Sequence, residues 1–310
     1  MQGTELEYYT PKHVPPEVLA YGSNLAQLGV GKAGKIGALV LRLEQDSSTR
    51  KTSVKEQYSR VPLYAQRALY LEEALPNMAY MYIISPSGGI LQGDRYRMDI
   101  TLRNRAFAHI TTQGATRIYR MEKNYATQIV NIDVGDGCYF EYIPDQVIPY
   151  RDSRFYQEAN LRIHDNATML YSEVITPGRV ASGEHFRYDI CYMKAIAKDQ
   201  NDNLKLTDVA MLEPKKRDMR IFGVLANHDV TGNMYVLTKN SISEISFKIN
   251  EHLQSTEKVY AGATTLPNRS GIGIRMLGKT ASDVRQAIYE VVRIVRKIIL
   301  DAPFSGIRKG

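Results

Sequence analysis

The sequence predicts a mainly β protein, built from stacked antiparallel or mixed β-sheets with about two α-helices. Between about residues 36 and 274, apolar and polar side chains alternate with period two far more often than with the helical period of about 3.6. Turn-forming residues recur roughly every dozen positions, a spacing typical of sheet stacks, sandwiches or solenoids. No clean internal repeat supports a regular solenoid.

The strands and their turns can be followed along the chain. Residues 96–102 alternate apolar and polar side chains, which predicts a strand with one buried face. Residues 130–134 and 139–142 flank a Gly-Asp-Gly turn, and this pattern predicts a β-hairpin. Asp165-Asn166 is predicted to turn the next pair of strands, and a long strand is expected over residues 186–196.

Two helices interrupt the strands. Residues 241–244 fit a capping box, and the apolar residues after them have helical spacing. Residues 280–283 fit a similar box before a longer amphipathic helix that runs towards Pro303, and we expect its apolar stripe to pack on the core. Residues 1–31 are expected to form a flexible N-terminal tail and residues 32–310 a single β-rich domain.

The composition is that of an ordinary globular protein, with 44% apolar and 24% charged residues. No run reaches the ~18 apolar residues of a membrane helix. Residues 1–16 lack the apolar core of a secretory signal, so we expect a cytoplasmic protein. Cys138 and Cys191 lie far apart, which argues against a disulfide scaffold, a zinc knuckle or a dithiol centre. The net charge of +7 permits acidic partners, but the basic residues are scattered.

The most unusual stretch lies between Ser85 and Arg120. Its glycines, Gly88, Gly89 and Gly93, predict positive φ angles and close approach of the backbone. Their spacing matches neither of the common phosphate-binding loops, and a strand follows them instead of a helix. A dense row of hydrogen-bonding side chains comes next: Thr111, Thr112, Gln113, Thr116, Arg117, Tyr119 and Arg120.

Common catalytic motifs are missing from the sequence. There is no nucleophile elbow, and the histidines are too dispersed for a compact metal motif. Four carboxylates near Gly or Pro in apolar segments are more notable: Asp94, Asp145, Glu173 and Glu184. Such a carboxylate either pairs with a cation or contacts water or a metal ion. A hydrolase or lyase with Asp94 or Glu184 as general base, or a basic nucleic-acid-binding protein, remains an open alternative.

Six motifs follow one another in order along the chain. They are S-P-S-G-G-I-L-Q-G-D at 85–94, T-T-Q-G-A-T-R-I-Y-R at 111–120, Gln128, E-Y-I-P-D at 141–145, I-P-Y-R-D-S-R-F-Y-Q at 148–157 and P-G-R-V-A-S-G-E at 177–184. Together they resemble the urease accessory protein family UreD, also called UreH, over roughly residues 33–300.

This resemblance implies a β-rich scaffold that is not an enzyme. It implies binding to urease apoprotein and, with UreF-like and UreG-like partners, nickel delivery to the urease dinickel site. GTP hydrolysis is then the task of the UreG-like partner. No tightly bound cofactor is expected, only transient nickel, and neither nucleic acid nor a membrane is an expected partner.

A nickel path needs weak, successive oxygen sites, because a tight cage would trap the ion. Our hypothesis is that Asp94, Asp145, Glu173 and Glu184 are waypoints of such a path, with Arg117 and Arg179 holding their geometry. Tyrosine-rich strands and the C-terminal helix are expected to offer faces to the partners. The expected structural or partner-binding residues are Gly88, Gly89, Gly93, Thr111, Thr112, Gln113, Arg117, Tyr119, Gln157, Gly178, Arg179 and Gly183.

Overall fold

The computed structural model describes residues 6–22 and 34–307. The strands in these ranges are β1 (Ile36–Gln45), β2 (Thr52–Arg60), β3 (Tyr64–Ala65), β4 (Ala79–Ile84), β5 (Arg95–Arg103), β6 (Phe107–Thr112), β7 (Thr116–Ile118), β8 (Ala126–Val134), β9 (Tyr139–Tyr142), β10 (Val147–Pro149), β11 (Arg154–Ile163), β12 (Thr168–Ile175), β13 (Ile190–Lys198), β14 (Leu204–Leu212), β15 (Val230–Leu237), β16 (Val259–Thr265) and β17 (Gly271–Gly278). The helices are α1 (Pro16–Leu19), α2 (Ile242–Gln254) and α3 (Ala281–Leu300).

The strands form two sheets, and both are mixed. The first sheet has the order β14-β13-β11-β8-β5-β1-β2. Its strands β1, β5, β8, β11 and β13 are parallel to one another. The second has the order β16-β17-β15-β12-β9-β6-β4-β3, with β10 and β7 attached beside β12. Its strands β4, β6, β9 and β12 are parallel, and the others on this path are antiparallel. The predicted mainly β fold with mixed sheets is confirmed.

The chain alternates between the sheets through its central part. β5, β8, β11 and β13 lie in the first sheet, whereas β6, β9 and β12 lie in the second. The hairpin predicted at residues 135–137 is therefore wrong, because this turn joins strands of different sheets. The turn predicted at residues 165–166 is present, but it too joins strands of different sheets. Alternating side chains and turn residues are common to a hairpin and to a corner between sheets, so the pattern cannot separate them. The predicted strand over 96–102 is present as β5, and β13 begins at Ile190, later than residue 186.

The molecule has two main apolar layers. The larger core fills the space between the two sheets. The second lies between the outer face of the second sheet and helices α2 and α3. The stripe of α3 is buried in this layer as predicted, and the Thr280 hydroxyl accepts a hydrogen bond from the Asp283 amide at 3.1 Å. The capping box predicted at 241–244 is wrong, because Ser241 has a φ of 48° and its side chain caps no amide.

Residues 6–22 of the predicted tail lie against the outer face of the first sheet. Tyr9 and Val18 are fully buried there. The Tyr8 hydroxyl donates to Asp99 at 3.1 Å, and the Arg97 guanidinium lies 4.0 Å from the centre of the Tyr8 ring. This part of the tail is packed and not free, whereas residues 1–5 and 23–33 lie outside the described residues.

None of the helices in residues 6–22 and 34–307 has both the length and the apolarity needed to span a membrane.

A buried ion pair fastens α3 to the second sheet. The Arg296 guanidinium donates to both carboxylate oxygens of Glu141 at 2.7 Å each, and a third bond reaches Glu72 at 2.7 Å. The Glu141 carboxylate also contacts His109 at 2.5 Å and accepts from the Tyr139 hydroxyl at 2.9 Å. Burial alone would raise the pKa of Glu141, but Arg296 and His109 bring it down to about 2. Glu141 is therefore ionised at neutral pH.

Replacing Arg296 by Met should reduce the free energy of unfolding by about 3–5 kcal/mol, because the variant leaves a buried carboxylate without its main counterion. Chemical denaturation monitored by circular dichroism measures this loss. Lys297→Met is the matched control on the same helix, because Lys297 and its partner Asp301 are both exposed, and it should show no measurable change. Equal stability of the two variants would contradict the assignment.

Candidate functional site

A cavity of about 370 Å³ lies between the two sheets, at the end where β5, β8 and β11 begin. It is lined by aliphatic and aromatic side chains together with polar ones. The polar residues of the lining are Ser85, Tyr96, Thr112, Gln113, Thr116, Arg117, Gln128, Tyr142, Asp145, Gln157 and Glu173. The exposed lining residues mark its opening, and we call them the rim: Ser85, Gly88, Gln113, Gly114 and Arg117.

The polar wall of the cavity follows from the register of the first sheet. Tyr96, Gln128, Gln157 and Met193 occupy matching positions on β5, β8, β11 and β13. Gln128 donates its amide to the side-chain oxygen of Gln157 at 2.9 Å, and Gln157 donates to Glu173 at 3.0 Å. The row therefore connects the first sheet to a carboxylate on the second.

Glu173 is the buried acid of the cavity. It points inward from β12, is only 5% exposed, and accepts a second hydrogen bond from the Tyr171 hydroxyl at 2.6 Å. Burial raises its pKa to about 7, and the bonds from Tyr171 and Gln157 oppose this shift. Glu173 is therefore a carboxyl that changes charge near neutral pH.

Asp145 lines the same cavity from the segment after β9. Its backbone amide donates to the Thr112 hydroxyl at 2.9 Å, and its carboxylate lies 3.8 Å from the Arg285 guanidinium of α3. The structure thus brings together two of the four predicted waypoints, Asp145 and Glu173.

Asp94 and Glu184 do not line this cavity. The fully buried Asp94 carboxylate accepts from the backbone amides of Lys35 and Leu91, both at 2.8 Å, and from the Tyr96 hydroxyl at 3.0 Å. These bonds tie the glycine-rich loop to the start of β1, and the Lys35 ammonium lies 3.8 Å from the Asp94 carboxylate. Their arrangement is that of a structural carboxylate.

Glu184 forms an ion pair with Arg179 at the surface. The Arg179 Nε donates to the Glu184 carboxylate at 2.9 Å, and the Arg179 Nη2 donates to it as well. The Arg151 backbone amide adds a third bond at 3.1 Å. Bonding by Arg179 is the largest cause that lowers the pKa of Glu184. Arg179 thus holds Glu184 as expected, while the exposed Arg117 lies at the rim of the cavity.

The glycine-rich loop that contains Gly88, Gly89 and Gly93 packs directly against Arg117 and Tyr119, which follow it in sequence. Gly88 and Gly93 have φ angles of 78° and 73°, which confirms the predicted positive φ. A Cβ on Gly89 would lie 2.4 Å from the Tyr119 ring and 2.6 Å from the Arg117 carbonyl oxygen, which confirms the predicted close approach. Glycine at this position lets the loop form one side of the cavity.

The remaining predicted residues are spread around the site. Gly178 and Gly183 have φ angles of 122° and 72° in the loop that carries Arg179. Tyr119 packs on Tyr150 with ring centres 4.9 Å apart, and Arg179 lies 4.1 Å from the centre of the Tyr150 ring. Thr111 instead faces away from the cavity, where its hydroxyl donates to the Ile143 carbonyl at 2.6 Å.

Most strand tyrosines are not available to partners. Tyr139, Tyr142, Tyr156 and Tyr171 are buried, so the expectation of a tyrosine-rich binding face is wrong for them. Tyr171, whose hydroxyl donates to Glu173, is not among the site residues that the sequence predicted. Its signal was the i, i+2 spacing to Glu173, which places both side chains on one face of a strand.

A tight metal centre is absent from the described residues, since no group of three or more His, Cys, Asp and Glu side chains is placed to hold an ion. The cavity offers carboxylates, amides and hydroxyls. Such a set suits weak contact with a hard or borderline cation.

Comparison with known proteins shows that this chain is similar in sequence to one family. A family model described as UreD urease accessory protein matches residues 35–309. A protein of Cenarchaeum symbiosum named urease accessory protein UreD is 43% identical over 286 residues, which cover 92% of this chain and 100% of the relative. One of the same name from Photorhabdus laumondii is 36% identical, covering 92% and 89% of the two chains. Urease accessory protein UreD 2 of Brucella canis is also 36% identical, covering 92% and 95%.

Replacing Gly89 by Ala should lower the free energy of unfolding by about 1–3 kcal/mol, because the new methyl group overlaps the Tyr119 ring and a backbone oxygen. Gly114→Ala is the control in the same rim, since a Cβ there meets nothing within 4 Å. That variant should stay within about 0.5 kcal/mol of the wild type. Chemical denaturation compares the two, and an unaffected Gly89→Ala protein would refute the close approach.

Glu173 should make the wild-type protein less stable as pH rises. Its raised pKa means that the folded state holds a proton that the unfolded state releases, so its contribution is complete below the unfolded pKa and is lost as pH passes about 7. Glu173→Gln lacks this loss. Relative to wild type, the variant should gain on the order of 2–3 kcal/mol between about pH 5 and pH 8.

Denaturation at the two pH values measures this change. Glu56→Gln, which alters an exposed glutamate on β2, serves as the control and should show no such change. A gap between wild type and Glu173→Gln that does not depend on pH would contradict the burial argument.

Proposed function

The chain belongs to the UreD family of urease accessory proteins, and from this premise we propose that it binds urease apoprotein and supports nickel delivery to the urease dinickel site. UreF-like and UreG-like proteins are its proposed partners in this task. Its relatives are named as accessory proteins, which are not enzymes themselves. We place this activity in the cytoplasm, with nickel as a transient cargo and no tightly bound cofactor.

The cavity between the sheets is the observation that carries this proposal. It combines an opening at the rim with the two carboxylates of Asp145 and Glu173. A cation in transit must be bound well enough to enter and weakly enough to leave, and separate oxygen donors fulfil this better than a cluster of His and Cys ligands. We therefore propose that nickel passes through this cavity.

Fewer residues are proposed to contact the cation than the four that the sequence suggested. We propose that Asp145 and Glu173 contact the cation, because both line the cavity. Asp94 and Glu184 are proposed to act indirectly, by holding the loops that surround it.

Partner binding is proposed for the surface around the rim. Gln113 and Arg117 are exposed there, and the half-buried Tyr119 lies beside them. Aromatic and arginine side chains are enriched at protein interfaces. The position of this surface would place a docked partner directly over the opening of the cavity.

The alternatives from the sequence receive no specific support. Asp94 already accepts three hydrogen bonds and Glu184 is engaged by Arg179, so neither carboxylate is arranged as a free general base. Nucleic-acid binding is not tested by the fold, and its absence stays a prediction.

The test is nickel loading of urease in cells that co-express urease subunits, UreF-like and UreG-like proteins, and this chain. Without this chain, urease activity and nickel content should fall to background. Glu173→Gln and Asp145→Asn should each reduce nickel per urease several-fold while co-purification with the partners is retained, because each variant removes a charged oxygen ligand from the cavity.

Asp202→Asn is the control for loss of a carboxylate, since Asp202 is exposed and remote from the cavity lining. It should load like wild type. Normal nickel content with both cavity variants would refute passage through this cavity, and normal loading without the chain would refute the proposed function altogether.

A further inference from the structure

Glu173 is held through one of its two oxygens. Its Oε1 accepts from the Tyr171 hydroxyl at 2.6 Å and from the Gln157 Nε2 at 3.0 Å. No hydrogen bond from the described residues reaches Oε2. The residue lines the cavity and keeps a 5% exposed fraction, so the carboxylate is asymmetric, with one satisfied oxygen and one left for an occupant of the cavity.

The orientation of the Gln157 amide is fixed by its neighbour in the sheet. Its oxygen accepts from the Gln128 Nε2 at 2.9 Å, so its nitrogen must face the second sheet. There the nitrogen donates to both the Tyr171 hydroxyl, at 3.2 Å, and Glu173. A flipped amide would present an oxygen to the carboxylate, which disfavours the alternative arrangement.

Tyr171 is fixed by stacking. Its ring lies between those of Tyr142 and Tyr235, with centres 5.6 and 6.3 Å apart and planes within about 15° of parallel. A tyrosine hydroxyl has one proton to donate. Because Tyr171 accepts from Gln157, it gives that proton to Glu173.

We propose that Tyr171 and Gln157 are the positioning residues of the cation path, holding Glu173 so that only Oε2 is presented to the cavity. This inference rests on the proposed function. A divalent cation would meet one carboxylate oxygen in place of two. A one-oxygen contact is weaker than a two-oxygen one, so the cation can leave as readily as it enters.

The experiment measures the rate at which nickel appears in urease when the purified accessory complex is supplied with Ni²⁺ and GTP, using elemental analysis of the urease recovered. Tyr171→Phe keeps the ring and removes the hydroxyl, and it should slow loading about tenfold, the effect of losing a hydrogen bond to a charged group. Gln157→Met should slow it to a similar degree. Tyr235→Phe is the matched control, because the Tyr235 hydroxyl donates to Asp208 and not to Glu173, and it should load like wild type.

A double-mutant cycle separates positioning from a structural role. If Tyr171 acts through Glu173, Tyr171→Phe should cause no further slowing in a Glu173→Gln background. A further tenfold loss in that background would overturn the proposal, because it would show that the hydroxyl acts independently of the carboxylate. Thermal unfolding of each complex checks that the variants are folded, and if Tyr171→Phe gives no soluble complex, the cycle with Gln157→Met is judged by the same criterion.

The outcomes also distinguish this inference from the function beneath it. Wild-type loading by Glu173→Gln alone would remove Glu173 from the path and overturn this inference, whereas the proposed function is refuted only by normal loading without the chain. Slow loading by Glu173→Gln together with wild-type rates for Tyr171→Phe and Gln157→Met would keep the path and overturn only the positioning role.

Discussion

Two sheets share one interior, and burying a polar side chain there costs free energy unless it finds a hydrogen-bond partner. Over most of the strands the inward positions are apolar. At one end of the sheets the inward positions hold Gln128, Gln157, Tyr171 and Glu173, and a buried carboxylate without partners would cost several kcal/mol. These side chains therefore form one connected network from the first sheet to the second. The cavity lies at this polar end of the interior.

The strict alternation of a β-strand gives the second sheet two separate chemical faces. On β9, Glu141 points outward to Arg296 of α3, whereas the next residue, Tyr142, lines the cavity. The deep ion pair that holds the helix layer and the acid of the cavity thus lie on opposite sides of one sheet. This separation explains how one carboxylate can have its pKa lowered to about 2 and another raised to about 7 within the same sheet. The Arg296 counterion lowers the pKa of Glu141, whereas burial raises the pKa of Glu173.

The fold class could be read from the sequence because period two reports directly on one-sided burial. The connections could not, since the turns at 135–137 and 165–166 have the same residues whether the next strand pairs alongside or crosses to the other sheet. Positive φ at Gly88 and Gly93 was predictable from local chemistry. The sequence could not show which carboxylate, Asp94 or Glu173, lines the cavity. That depends on the contact of Lys35 with Asp94 and of Gln157 with Glu173, and both contacts form only through long-range pairing. Sequence spacing identifies candidate carboxylates but not the groups that already satisfy them.

The packing of residues 6–22 has a practical meaning for where this protein begins as a structural unit. The match to the family model starts at residue 35, yet Val18 fills an apolar pocket made by Tyr125, Tyr156 and Ile190 at the first sheet. A polypeptide trimmed to the family boundary would place that pocket in contact with water and invite self-association. The start of the family-model match and the start of the packed chain are therefore different, and the packing is the safer guide for anyone shortening this protein.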